Sequence, residues 1–207
     1  MLPVAWFPSR AVRLSVAVVL GALIALLTAT SFVIPAAGAD PRTDGQLHSL
    51  RHLRDNLWEA TAYSTAMDTE IPLHIIRPAG GGAGAPTFYL LNGAGGGEDG
   101  ANWLAQTDAM KFFADKNVNV VIPEKGIGSY YTDWIARDPA IGKPMWQTFL
   151  TTELPRAVNT SLRTNGVNAI GGMSMSATSV LNLAIVAPTL YKGVASYSGC
   201  ARTSTLE

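Results

Sequence analysis

The sequence predicts an α/β domain with a mostly parallel sheet flanked by helices, and three observations predict it. Four short, nearly continuous apolar runs stand at residues 87–91, 118–123, 167–172 and 193–197, the pattern of strands covered on both faces. Helix-like stretches at 103–115, 145–163 and 174–187 separate or flank them, and strands alternating with helices indicate a parallel sheet. The composition is also that of a chain with a sizeable core, 48% hydrophobic and only 14% charged. The 207 residues suit one domain. The 15 basic and 15 acidic residues cancel, and no basic stripe stands out locally. That excludes a nucleic-acid partner, which needs a basic footprint.

The first 39 residues are not core material. Arg10 and Arg13 precede an apolar run at 14–34, and Ala37-Gly38-Ala39 supplies a small-x-small cleavage pattern. This reads as a secretory signal over residues 1–39, with Asp40 opening the mature chain. The run is also long enough to anchor in a bilayer. In either case the rest of the chain works outside the cytoplasm. The single cysteine, Cys200, is either a small buried hydrophobe or half of a pair whose partner lies in sequence not present here.

The mature region opens on a polar segment, 40–59, holding His48 and His52. Two histidines four apart could ligate a metal on a helix, but the intervening Ser49, Leu50 and Arg51 lack the zincin glutamate, and a solvated amphipathic segment is the expectation. Runs at 60–67 and 71–77 follow; the first alternates Ala60, Ala62, Ser64 and Ala66 against Thr61, Tyr63, Thr65 and Met67. That predicts a half-buried edge hairpin, with His74 in its second strand. Residues 80–84 form a glycine loop. No metal or organic cofactor is implied.

The chemistry concentrates at residues 170–177, Ile-Gly-Gly-Met-Ser-Met-Ser-Ala. A strand ends, a serine follows two residues after Gly172, and a helix begins at once. This is the setting of a nucleophile elbow, a strained turn whose residues two before and two after the nucleophile must be small. Ser176 stands where the motif usually has glycine, so the pattern is G-x-S-x-S. Register favours Ser174 over Ser176, because Ser176 as nucleophile would put β-branched Thr178 in the crowded place. The bland alternative is a serine-rich helix N-cap. A serine nucleophile needs a base and an oxyanion hole. The N–H of Met175 would be one donor of that hole. The second should come from the loop after an earlier strand, and the glycine-rich residues 92–97 fit. A phosphate loop is disfavoured there because Glu98-Asp99 follow in place of G-K-[ST]. A plain flexible turn is the remaining alternative.

Three landmarks, Tyr89-Leu90-Leu91-Asn92-Gly93-Ala94, Gly128-Ser129-Tyr130-Tyr131-Thr132-Asp133-Trp134 and Gly172-Met173-Ser174-Met175-Ser176-Ala177, resemble in order and spacing those of the mycolyltransferases of the antigen 85 type. The run at 92–97 and the Tyr-Ser-Gly-Cys at 197–200 look most like the corynebacterial branch. The resemblance implies an α/β-hydrolase fold and association with the cell envelope. It implies transfer of a mycolyl group from trehalose monomycolate, through an acyl-serine, to a second trehalose monomycolate or to cell-wall arabinogalactan. Trehalose mycolates and a cell-wall glycan acceptor would then be the partners. By position, Ser174 would be the nucleophile, and Ala94 and Met175 would supply the oxyanion N–H groups. Asn92 stands where mycobacterial members carry an Asp that touches trehalose, and Gly95 where they carry an Arg.

The chain departs from the family beyond the serine. In this fold the acid and the histidine follow the nucleophile in the chain. Here His48, His52 and His74 all precede Ser174, and the only acid after it is Glu207. Residues 40–207 are therefore expected to be the N-terminal part of an α/β-hydrolase domain, incomplete at the C-terminus, with little turnover on its own and an uncovered strand at 193–197. His74 and Lys192 are poor substitutes for the base. The rival readings are a general exported esterase of the same fold and a non-catalytic envelope or binding protein.

Overall fold

Seven strands form one mixed sheet in the computed structural model, which describes residues 45–200. The strands are β1 (Leu47–Arg54), β2 (Leu57–Ser64), β3 (Thr69–Ile76), β4 (Thr87–Leu91), β5 (Asn119–Pro123), β6 (Asn168–Met173) and β7 (Tyr191–Tyr197). Their order across the sheet is β1-β2-β3-β5-β4-β6-β7. The pairings among β5, β4, β6 and β7 are parallel, and those from β1 to β5 are antiparallel. The proposed export signal at 1–39 and Glu207 lie outside the described residues. Among the described residues no helix is long and apolar enough to cross a membrane.

Helices cover both faces, which is why the parallel strands read as continuous apolar runs. On one face Tyr89, Leu91, Val121 and Ile170 pack with Phe149, Leu150, Leu154, Val180 and Leu183. On the other, Leu90, Val120 and Ile122 meet Ala109, Trp103 and Phe113. The second of these covers is two short helices, α1 (Trp103–Gln106) and α2 (Ala109–Phe113), where the sequence suggested one stretch. Thr107 makes the break: its backbone is extended, its hydroxyl donates to the Trp103 carbonyl, and the same oxygen accepts the Ala109 N–H at 3.2 Å. On the first face, α3 (Trp146–Thr148) runs through a π-helical turn at Phe149–Glu153 into α4 (Leu154–Leu162). Pro155 explains the wide turn. It has no N–H for Thr151, and its ring would strike that carbonyl in a regular α-helix.

One expectation at the start of the domain takes definite form and one is corrected. The solvated amphipathic segment expected at 40–59 holds β1 and the start of β2, and no β1 residue is fully buried. The hairpin at 60–77 was expected at the sheet edge, but β1 lies outside β2, while β3 joins β5. Leu47, Leu50 and Leu53 stand three apart, a spacing that suits a helix better than a strand. Two register shifts in β1 and a positive φ of 54° at Ser49 absorb that spacing. Leu47 and Leu50 then pack on one core cluster and Leu53 on the other, which is what a β-bulge permits by re-aiming side chains.

Candidate active site

Ser174 sits between the end of β6 and α5 (Met175–Val186). Its backbone has φ 54° and ψ −119°, a conformation that an L-residue adopts only where its surroundings hold it. Three contacts hold it. The Ser174 N–H donates to the Tyr197 carbonyl at 2.9 Å, fastening the elbow to the end of β7. The Ser174 carbonyl accepts the Ala177 N–H at 3.1 Å. Gly172 leaves room for the turn to close: a Cβ there would lie 2.5 Å from Ser176 Oγ and 2.8 Å from the Ser176 backbone C and O. The bland N-cap reading fails on geometry. Ser174 makes no side-chain cap bond to α5, and its residue is exposed.

The glycine loop after β4 lies beside it. A Cβ built on Gly93 would come within 3.8 Å of Ser174 Cβ and 3.9 Å of the Met173 carbonyl. The loop is not a flexible turn, because three of its glycines are packed against other atoms. A Cβ on Gly95 would fall 1.9 Å from Asp99 Oδ2. One on Gly96 (φ 66°) would fall 2.6 Å from the Lys125 carbonyl, and one on Gly97 (φ 91°) 2.5 Å from Asn92 Nδ2. The stretch after β5 braces it from behind, with the Gly128 N–H donating to the Ala94 carbonyl at 2.9 Å. The three landmark segments of the sequence are thus one contiguous structure. Ala94 is exposed at the loop's tip. Met175 is the first residue of α5, so its N–H is one of the helix donors without an intrahelical acceptor.

Asn92 serves the fold. It is completely buried, its Nδ2 donates to the Pro123 carbonyl at 3.2 Å, and its Oδ1 accepts the Trp103 N–H at 3.4 Å. A sugar contact by this side chain would require those bonds to break. Asn92→Asp removes the donor and sets a carboxylate oxygen against a carbonyl. It is expected to cost about 3–5 kcal/mol, as an uncompensated buried charge does, visible as a large fall in the thermal midpoint.

No histidine approaches Ser174. His48 and His52 lie on β1, and His74 lies on β3 with Nδ1 2.9 Å from Glu124 Oε1. Between β3 and β6 stand β5 and β4, so three inter-strand steps put His74 at least about 14 Å away. His74→Ala is therefore expected to leave the rate of covalent labelling at Ser174 within about twofold of the parent, since a base must sit within hydrogen-bond reach. Among the described residues no group of three or more His, Cys, Asp or Glu side chains is placed to hold a metal ion.

The sequence missed what Ser176 does. It read as a small residue tolerated in the glycine place, yet its hydroxyl is wholly buried and hydrogen-bonded on two sides. The departure from G-x-S-x-G was the signal. The part of the Tyr197 carbonyl in holding Ser174 had no sequence signal at all, because it depends on how β6 and β7 pair (Met173 opposite Tyr197).

A protein-family model described as "Putative esterase" matches residues 64–206, a span that contains the elbow, the glycine loop and the bracing segment. The chain belongs to this esterase family. Among curated proteins it is similar to the diacylglycerol acyltransferase/mycolyltransferase Ag85A of Mycobacterium leprae, 38% identical over 126 residues, which is 58% of this chain and 37% of that protein. It is likewise similar to Ag85B of the same organism, 38% identical over 52% of this chain and 34% of that protein. The aligned segment thus spans little more than a third of the length of these relatives. Two solved structures share the esterase fold: an S-formylglutathione hydrolase from Agrobacterium tumefaciens (TM-score 0.53, 18% identity, 72% of this chain and 61% of that one), and a ferulic acid esterase (TM-score 0.55, 18% identity, 73% and 61%). The α/β-hydrolase architecture expected from the sequence is the one these neighbours have.

Proposed function

We propose that this esterase-family chain carries the nucleophile and oxyanion half of an exported serine acyltransferase of the cell envelope. Its substrates would be trehalose mycolates: a mycolyl group leaves trehalose monomycolate and passes to a second trehalose monomycolate or to a cell-wall glycan. The observation that carries the reading is the strained, exposed Ser174 set against the Gly93-Ala94 turn. Similarity to mycolyltransferases supports the substrate class.

In the first half-reaction Ser174 Oγ attacks the ester carbonyl carbon and its proton passes to a base. The carbonyl oxygen becomes an oxyanion held by the Ala94 and Met175 N–H groups. Collapse expels the sugar oxygen, which takes the proton, and leaves an acyl-serine. In the second half-reaction a sugar hydroxyl attacks that ester and releases Ser174. The chain's three histidines all lie on β1 and β3, so its own acylation is slow, and added imidazole is expected to speed it. The test is incubation with trehalose monomycolate alone, with and without imidazole. Trehalose dimycolate, absent with Ser174→Ala, supports the reading. Free mycolate as the sole product means that water is the acceptor and the chain is an esterase. Equal product from Ser174→Ala defeats the nucleophile assignment.

A further inference from the structure

The elbow and the glycine loop come from different strands, and an oxyanion hole built from both works only if they keep one register. The β4–β6 ladder ends with Leu91 opposite Gly172, before either N–H donor is reached. One buried side chain spans the junction beyond it. Ser176 Oγ accepts the Met173 N–H at 2.9 Å and lies 3.0 Å from the Leu91 carbonyl and 3.0 Å from the Met173 carbonyl. A hydroxyl has one proton and can accept as well, so it receives from the elbow and shares its proton between the loop-strand carbonyl of Leu91 and the elbow's own Met173 carbonyl, both at 3.0 Å. The Leu91 carbonyl also takes the Trp103 indole N–H at 2.8 Å, so both its lone pairs are filled. Leu91 directly precedes Asn92, whose buried side chain fixes the start of the loop. Met173 directly precedes Ser174.

We propose that Ser176 is a positioning residue: its hydroxyl ties the nucleophile elbow to the glycine loop and so sets the spacing of the two oxyanion donors. The glycine usual at this place could not do so, because it would leave the Met173 N–H without this acceptor and the Leu91 carbonyl without this donor. The role in catalysis rests on Ser174 being the nucleophile; the mechanical tie does not.

Ser176→Ala and Ser176→Gly separate the two, the second being the residue the motif ordinarily uses. Each is measured for amide hydrogen exchange, and for the rate at which a fluorophosphonate, whose P=O oxygen enters the hole, labels Ser174 per competent site. Both variants are expected to exchange the amides of 92–97 and Met173 at least about tenfold faster, with β2, β3 and α4 unchanged, and to label about 10–100-fold more slowly. Exchange that rises uniformly across the domain would mean loss of stability only and would overturn the proposal. So would parental exchange at 92–97, or a parental labelling rate per competent site. If the parent itself is not labelled at Ser174 beyond the level of Ser174→Ala, the nucleophile reading falls, and the localised exchange at 92–97 alone decides whether Ser176 makes the tie.

Discussion

Ser174→Gly is expected to abolish acyl-enzyme formation while raising the thermal midpoint. The two effects have one origin. At φ 54° and ψ −119° a side chain bears a conformational cost of about 1–3 kcal/mol that glycine does not. Glycine gives back part of this, roughly 0.5–1 kcal/mol, through the greater freedom of the unfolded chain. The net gain is about 1 kcal/mol, or roughly 2–4 °C for a domain of this size. Ser174 makes no cap bond to α5, so removing the hydroxyl takes no cap bond from the fold. Calorimetry on the variant checks the stability, and mass spectrometry after fluorophosphonate treatment checks the chemistry. A lower midpoint would show that the backbone at 174 is relaxed, and the strained-elbow account of this site would fall with it.

Gly172→Ala is expected to damage the fold and the reaction together. Its Cβ would meet the Ser176 backbone at 2.8 Å as well as the Ser176 hydroxyl at 2.5 Å. A flexible side chain could swing away, but the first turn of α5 cannot, because Ser176 and Ala177 are fully buried beneath it. Overpacking of this kind costs about 1–3 kcal/mol. The remaining strain falls on Ser174, where a displacement of about 1 Å is enough to reduce the reaction rate 100-fold. Urea denaturation should show the first effect and labelling kinetics the second. Alanine at Gly81 is the control: unlike Gly172 it has a positive φ, 83°, but nothing lies within 4 Å of its Cβ. It should lose about 1 kcal/mol of stability and keep the labelling rate.

Much of this fold was legible because its signals are local. The runs at 87–91, 118–123 and 167–172 are buried on both faces and lie within a residue or two of β4, β5 and β6. The elbow was legible for a sharper reason: a tight turn between strand and helix tolerates few side chains, and Gly172 and Ser176 display that restriction in the sequence. What escaped depended on pairing. The leucines of β1 carry a helical spacing that only bulges reconcile with a strand. The resemblance sets Asn92 at a sugar-contact position, but position alone does not show that its buried carboxamide links Pro123 to Trp103, partners 31 and 11 residues away in the chain. At Ser176 the departure from glycine marks the place but not the partner, a carbonyl 85 positions earlier.

The bond from the Ser174 N–H to the Tyr197 carbonyl also sets a schedule. Synthesis proceeds from the N-terminus, so β4, β5, β6 and α5 all emerge before the strand that pins the elbow. Until Tyr191–Tyr197 zips alongside β6, the unusual backbone at 174 lacks one of its restraints, and the turn can relax toward an ordinary helix start. The elbow at Ser174 is therefore fully restrained only once β7 has paired with β6, however early its own residues emerge.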